Sequence, residues 1–562
     1  MTVLVLEIGP VDDGEDFILI PAIRGGPAAY KYSENFWTVP QTFLDGKSRM
    51  IPVGRVLGGG TVFNGLLWNR GDAGDYDDWA ALGNPGWGWN EMLPYFKKSE
   101  TYTPVSSDAI ANRFDIDYSP DVHGFDGPVH VGHPKYFYNV SVNFFDGLNA
   151  LGVPTAFDPN AGTIAGASFL PINVHPTNMT RVDAKRAYYE PFANRDNLYV
   201  STGQRVTKLV FEEATEGDID GRQDKRDSEG FVLSQNETAA PQTVKARREV
   251  IMAAGAIHTP QILQLSGIGD QSLLESLDIP VVNPLPGVGQ NFQDHFMVRI
   301  SSPYGNESYT YPTQLNDPEI NDRARRQYFE SRTGPWTAGP PDGVAFPSLL
   351  DATNRSDSIA SAARQQRAGD HLPAGADGSL TAGYRAQKEL LAAALQDRSR
   401  AAHEILNDNA GGLSVATMRP FARGTVAITS TDPFAAPAID PRYGANPVDL
   451  AVLAEALRFN RALLATDPML MLLPEQVAPP EELLDDEEGL LRFVRENVQT
   501  EFHPSSTCAM MPRHLGGVVD ARLRVYGMRN LRVVDASVFP MIPAAHLQAV
   551  VYGVAEKVRI RC

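Results

Sequence analysis

Val3-Leu4-Val5-Leu6 is an uninterrupted apolar run closing on Glu7-Ile8-Gly9-Pro10, a pattern that predicts a buried strand followed by a turn. Further β-like runs occupy residues 198–211 and 249–253, and residues 412–441 form a second strand-bearing segment. Between the first two, residues 212–246 are polar and charged and predict a solvated hairpin excursion. Helical spacing of apolar positions appears near 94–98 and 142–151, then over 384–406, 447–465 and 480–498. The acidic cluster at 481–488 suits the exposed face and N-terminal end of the last of these. Residues 350–382 are rich in Ala, Arg, Gly and Ser and poor in aromatics, so a mobile surface insertion is expected there.

Composition narrows the class. The chain has 562 residues, 43% hydrophobic and 21% charged, which suits a globular protein and allows two to four domains at roughly 150 residues each. Its net charge of −19 argues against nucleic-acid or anionic-membrane partners, both of which need positive surface. No apolar run approaches about 18 residues, so no transmembrane helix is expected. Cys508 and Cys562 are too few for a disulfide framework or a multi-cysteine metal site, and no metal is expected. Cys508 reads as a small core residue.

Three stretches carry chemistry. In Gly54-Arg55-Val56-Leu57-Gly58-Gly59-Gly60-Thr61-Val62-Phe63-Asn64-Gly65, consecutive glycines remove every Cβ at one point, so a flat or anionic ligand can approach the backbone; a plain glycine-rich turn is the equal alternative. Gly255 to Gly269 follows the 249–253 run and reads as tight turn and helix, stopped at Ser266-Gly267, with His258 in a capping or packing role. Near the C-terminus, Phe502-His503-Pro504-Ser505-Ser506-Thr507-Cys508 and Pro543-Ala544-Ala545-His546 flank the buried strand expected at 531–534. The two histidines could converge on a site at that strand's C-terminal end. A serine hydrolase reading is poor, because no G-x-S-x-G elbow exists.

Taken together, these motifs resemble the glucose–methanol–choline (GMC) family of FAD-dependent oxidoreductases over nearly the whole chain from Val3 to about Lys557. The markers run in order: Leu6-Glu7, Leu57 to Asn64, Asn84-Pro85-Gly86-Trp87 before Pro94-Tyr95-Phe96, Gly255 to Gly269, Pro286 to Asn291 with Asp294-His295, and the C-terminal histidine pair. Fungal aryl-alcohol and glucose oxidases, and tailoring enzymes of fungal secondary metabolism, look most similar.

The resemblance implies an α/β fold in which a Rossmann-like FAD-binding domain is interwoven with a substrate domain built on an antiparallel sheet with flanking helices. The expected segments are 1–300 (FAD-binding region with part of the substrate domain), 301–415 (substrate-domain segment and surface insertion) and 416–557 (the rest of the substrate domain, the histidines and the return to the FAD domain). It implies that Glu7 holds the adenosine ribose, that Val206 meets the adenine, and that Gly60, Asn64, Gly65 and Leu66 lie along the flavin. Asp535, Ala536, Gln548 and Ala549 match the stretch around the pyrophosphate and the pyrimidine edge of the ring. His503 matches the base that takes the hydroxyl proton of an alcohol, and His546 its partner on the same oxygen. Oxygen or an organic acceptor would then reoxidise the flavin. Tyr309, Tyr311 and Trp336 are candidate aromatic walls of the substrate site, with core packing as the simpler role.

Departures from the family pattern set further expectations. The family's first strand and G-x-G-x-x-G turn would precede Val3, so a strand–turn–helix of about 30 residues is expected to be missing from this sequence. Ser506 stands where the family commonly has glycine; because serine is small, little effect is expected. A lyase or cyclase on the same fold, and a cofactor-poor remnant, are the alternative functions. No signal peptide is readable in this chain, while sequons at Asn139, Asn178, Asn236, Asn306 and Asn354 favour secretion. Substrate identity and oligomeric state are not readable.

Overall fold

The structure is a computed structural model that describes residues 1–105, 107–211, 228–339, 341 and 343–559. Its centre is a six-stranded antiparallel sheet in the order Val498–Thr500, Phe296–Val298, Leu413–Thr417, His403–Asn407, Gly343–Phe346, Gly166–Phe169. Alternation along these strands sorts side chains to two faces. Phe296, Val298, Ile405, Leu413, Val415 and Val498 face a core closed by the helices Val140–Ala150, Pro447–Leu464 and Glu487–Asn497. Met297, Val344, Phe346 and Ala416 face the other way, toward Leu66, Leu67, Ile172, Trp336 and Ala544. The site is built on this second face.

Helix Pro447–Leu464 illustrates how local signals anchor that layer. Asn446 Oδ1 accepts the Val448 N–H at 3.0 Å and proline occupies the first turn, a cap worth about 1 kcal/mol. The helix then buries most of its length, Val448 through Leu464, against the back of the sheet.

A second, parallel region carries the expected dinucleotide-type units. Val3–Leu6 pairs with Leu198–Ser201, and Val250–Met252 pairs with Leu531–Val533, both in parallel. Helix Gly255–Leu265 follows Val250–Met252 through Gly255 at φ +80°, where the left-handed backbone favours glycine. Helix Gln548–Arg559 returns against Trp89–Ser99 in the same core. The fold is therefore mixed α/β with an antiparallel sheet, as the resemblance implied.

Four expectations are corrected. The first strand is not buried: Val3, Leu4 and Val5 are 40%, 44% and 39% exposed, because among the described residues it pairs with Leu198–Ser201 alone. The 198–211 run is two strands, Leu198–Ser201 and Arg205–Phe211, broken by a turn in which Gly203 takes φ +68°. Residues 350–382 are not a mobile insertion throughout: helix Ser356–Gln365 places Ile359, Ala360 and Ala363 at helical spacing into a buried cluster with Leu391 and Leu395. The helix expected over 384–406 is Gly378–Ala394; Asp397 then closes a turn on the Ser399 N–H, and His403–Asn407 is a strand. Within the predicted excursion, Ser228–Ser234 and Gln242–Lys245 pair as antiparallel strands, and 212–227 lie outside the described residues.

Candidate active site

The loop after Val498–Thr500 sets His503 in place. Thr500 Oγ1 accepts the Phe502 N–H at 2.7 Å, and Phe502 takes φ +68° to turn the chain. Asp294 Oδ1 accepts the His503 N–H at 2.9 Å while its other oxygen accepts the Tyr443 hydroxyl. Burial pushes the Asp294 carboxyl up to about 6 despite these hydrogen bonds. The His503 ring then meets His295, Nδ1 to Nδ1, at 3.0 Å. Burial, with neighbouring imidazoles, holds His503 well below the ordinary histidine range and His295 down at about 3. Both rings are neutral, so one Nδ1 donates and the other accepts.

His546 is held differently. Asn69 Oδ1 accepts both its backbone N–H (2.9 Å) and its Nδ1–H (3.2 Å), which turns Nε2 toward Glu404 Oε1 at 3.3 Å and Glu501 Oε1 at 3.7 Å. A buried strut fixes this turn and the Glu404 strand together. Asp75 Oδ2 accepts the Ala544 N–H at 3.0 Å, Asp72 Oδ2 accepts the Ala401 N–H at 3.1 Å, and Arg419 pairs with both acids. The His503 and His546 rings stand 5.6 Å apart at 77°, each 14% exposed at the side chain. The sequence-predicted pair thus does converge.

Two glutamates complete the cluster. Glu404 and Glu501 are 1% and 6% exposed, and none of their four carboxyl oxygens makes a hydrogen bond of normal geometry. Burial first, and then the neighbouring Glu404, drives Glu501 well above the usual carboxylate range, which favours its protonated form. Donor atoms of His295, Glu501 and His503 lie within 4.8 Å of one another, and so do those of Glu404, Glu501 and His546.

Beside the histidines lies an open cradle. A Cβ placed on Gly59, Gly60, Gly65 or Gly255 would meet nothing within 4 Å, whereas one on Gly54 would strike the Gly59–Gly60 backbone at 2.4 Å. The hollow thus belongs to the stretch expected along the flavin. Its wall is tied from both sides: Asn64 Nδ2 donates to Gln548 Oε1 (3.0 Å), Gln548 Nε2 donates to the Leu67 carbonyl (2.6 Å), and Arg181 Nη1 donates to Asn64 Oδ1 (2.6 Å). Asn64 Oδ1 also accepts the N–H of Leu66, which sits at φ +72°. Ala549 is buried beneath.

The remaining predicted residues form two outlying groups. Asp535 accepts from Gly255 N–H (2.9 Å), Thr259 Oγ1 (2.6 Å) and Ser537, so it pins the turn at the cradle's edge, with Ala536 accepting the Ser506 N–H at 3.0 Å. Glu7 Oε1 accepts the Gly9 N–H at 2.7 Å, burial raises its carboxyl, and its carbonyl accepts the Gln204 N–H, bringing Val206 to the same end. The residues present therefore suit a flat ring and an adjoining chain.

Several expectations need adjusting at this site. Ser506 adopts φ +75°, so conformation, not size, is why glycine suits that position; serine there is strained. Tyr309 and Tyr311 pack on the far side of the sheet, while Trp336 lies on the site's face with Met297 and Leu66. His258 bridges Glu34 and Gln261, and Cys508 is fully buried, both structural. Sequence reasoning missed Asn69, Glu404 and Glu501 and left His295 without a role. Two-residue alternation from Leu406 to Glu404 within the strand His403–Asn407 was the available signal for one of them.

Comparison with known proteins gives a consistent picture. The GMC oxidoreductase model matches residues 21–297 with its N-terminal part and 420–555 with its C-terminal part. Dehydrogenase xptC of Emericella nidulans is 33% identical over 569 residues, covering 99% of this chain and 88% of that protein. GMC oxidoreductase family protein Mala s 12 of Malassezia sympodialis is 36% identical, with 99% and 87% covered. An FAD-dependent oxidoreductase from Chaetomium thermophilum superposes with TM-score 0.94 at 34% identity, over 99% of this chain and 94% of that one. A fungal aryl-alcohol oxidase superposes with TM-score 0.90 at 28% identity, over 99% and 94%.

Proposed function

The chain belongs to the GMC oxidoreductase family, FAD-dependent enzymes acting on CH–OH donors, and from that premise we propose that it oxidises a primary or secondary alcohol with His503 as the base. The observation that carries this is the pair of imidazoles: the His503 and His546 rings stand 5.6 Å apart, with the Nδ1 of His503 committed to His295.

Gly59, Gly60, Gly65, Leu66 and Gln548 would hold the flavin, and Glu7 with Val206 the adenosine end. When bound, FAD supplies the acceptor for the carbinol hydride. The protein's part is proton control. In the tautomer that donates Nδ1–H to His295, His503 keeps Nε2 as an acceptor for the substrate hydroxyl proton. Its depressed basicity keeps it unprotonated, and so ready to accept, well below pH 6.5. His546, oriented by Asn69 with its Nε2 3.3 Å from Glu404 Oε1, sets the second edge of the oxygen's position. The buried cluster of Met297, Leu66, Trp336 and Phe346 on the same face of the sheet is apolar, which suits a small organic alcohol. The electron acceptor is oxygen or an organic oxidant, and a role in fungal secondary metabolism remains part of this reading.

Anaerobic addition of benzyl alcohol and related alcohols to the yellow holoenzyme tests it: flavin absorbance is expected to bleach as the carbonyl product appears. Product formation without bleaching would instead establish non-redox acid–base chemistry on the same histidines.

A further inference from the structure

We infer that Glu501 is a proton bridge, whose carboxyl joins His503, His295, His546 and Glu404 into one buried unit that takes up the substrate's hydroxyl proton and keeps it from solvent. The inference rests on the proposed role of His503 as base.

The geometry places one side chain between both candidate catalytic histidines. Glu501 Oε2 lies 3.9 Å from His503 Nδ1 and 4.0 Å from His295 Nδ1, while Oε1 lies 3.7 Å from His546 Nε2. Each distance exceeds a normal hydrogen bond, but each closes with a modest swing of the carboxyl. The side chain is positioned from its own backbone, since the Glu501 N–H donates to the His295 carbonyl at 2.8 Å, pairing the two residues across adjacent strands. A buried carboxyl whose near neighbours are another carboxyl and three imidazoles is a liability to folding, so structural need does not explain it.

The groups facing Glu501 are His295, His503, His546, Glu404 and Asp294; Asp75 and Arg419 act on the unit through His295. Burial and the neighbouring Glu404 both favour the protonated form of Glu501 in the resting state. The unit then has capacity for one more proton. When the alcohol O–H breaks, its proton forms a bond to His503 Nε2, and the bonding pair stays on oxygen to make the carbonyl as the carbinol hydrogen leaves with its own pair. An imidazolium at His503 is disfavoured by burial and by the neighbouring His295 and His546. Its Nδ1 proton therefore moves on, across 3.0 Å to His295 or directly to the carboxyl pair, and the unit ends with one proton more than it began with. Glu501 acts through the histidines and is a positioning residue in this sense.

The test compares the wild-type holoenzyme with Glu501→Gln and Glu501→Asp. In the resting wild type, infrared difference spectroscopy is expected to show the carbonyl band of a buried carboxylic acid, absent in Glu501→Gln and retained in Glu501→Asp. In weakly buffered anaerobic mixing with benzyl alcohol and an indicator dye, the wild type is expected to release almost no proton as flavin is reduced, and Glu501→Gln about one per flavin. The variant's reduction rate should fall roughly 10- to 100-fold, with KM and flavin content little changed and partial recovery in Glu501→Asp. A wild type without the acid band, or a Glu501→Gln variant with the wild-type band, rate and proton count, overturns the proposal. Should no alcohol bleach the wild-type flavin, the proposed oxidation itself fails, while the infrared band still decides the state of Glu501.

Discussion

The Nδ1 atoms of His295 and His503 lie 3.0 Å apart in a site where neither ring is charged, so one must donate to the other. That single contact ties the tautomer of the proposed base to that of His295. His503→Ala is expected to slow flavin reduction by alcohol about 10²- to 10⁴-fold while leaving FAD bound, read by anaerobic stopped flow and flavin absorbance. Equal rates in the two proteins would remove His503 from the mechanism.

The cradle makes a separable prediction. Gly60 has open space where a Cβ would go, so Gly60→Val should fold with stability within about 0.5 kcal/mol of the flavin-free wild type yet purify with little or no flavin. Thermal unfolding and flavin content of the same preparation check both halves. Full flavin loading would place the ring elsewhere.

Ser506 offers a test of backbone strain. At φ +75° a serine costs about 1 kcal/mol relative to glycine, so Ser506→Gly should raise stability by about that amount in denaturant titration. No gain would mean that the Ser505–Ser506 hydroxyl contact offsets the strain.

Stability should also weaken in mild acid. His403 is fully buried against Phe459, neither ring nitrogen has a partner, and burial lowers it to about 3. The unfolded chain therefore binds its proton below about pH 6.5 while the folded chain does not, and stability falls as pH drops from 6.5 toward 3. Replacing it by His403→Leu should remove about 2 kcal/mol of the loss between pH 7.5 and 5, measured by urea unfolding at both values. An unchanged slope would show that the ring is protonated in the folded state.

How much of this was readable in the residue string depends on the range of the interaction involved. The helix at Gly255–Leu265 and the strand at Leu531–Val533 follow from neighbouring residues, and both stand where expected. The strand His403–Asn407 was hidden because the Ala-rich residues 391–394 and 401–402 continue a helical look, while the turn between them rests on Asp397 hydrogen bonds. With it went Glu404. Asn69 and His546 are 477 positions apart, and no local pattern announces that contact.

The sequence by itself determined the family, the cofactor type, the glycine stretch and the two C-terminal histidines, because these are written in contiguous motifs whose chemistry is local. Only the tertiary structure decided which charged and neutral groups share the site. Protonation depends on burial and on neighbours a few ångströms away, and those neighbours arrive from strands far apart in the chain. Thus His295, Glu404 and Glu501 acquire their meaning when the antiparallel sheet brings its strands side by side beneath His503 and His546.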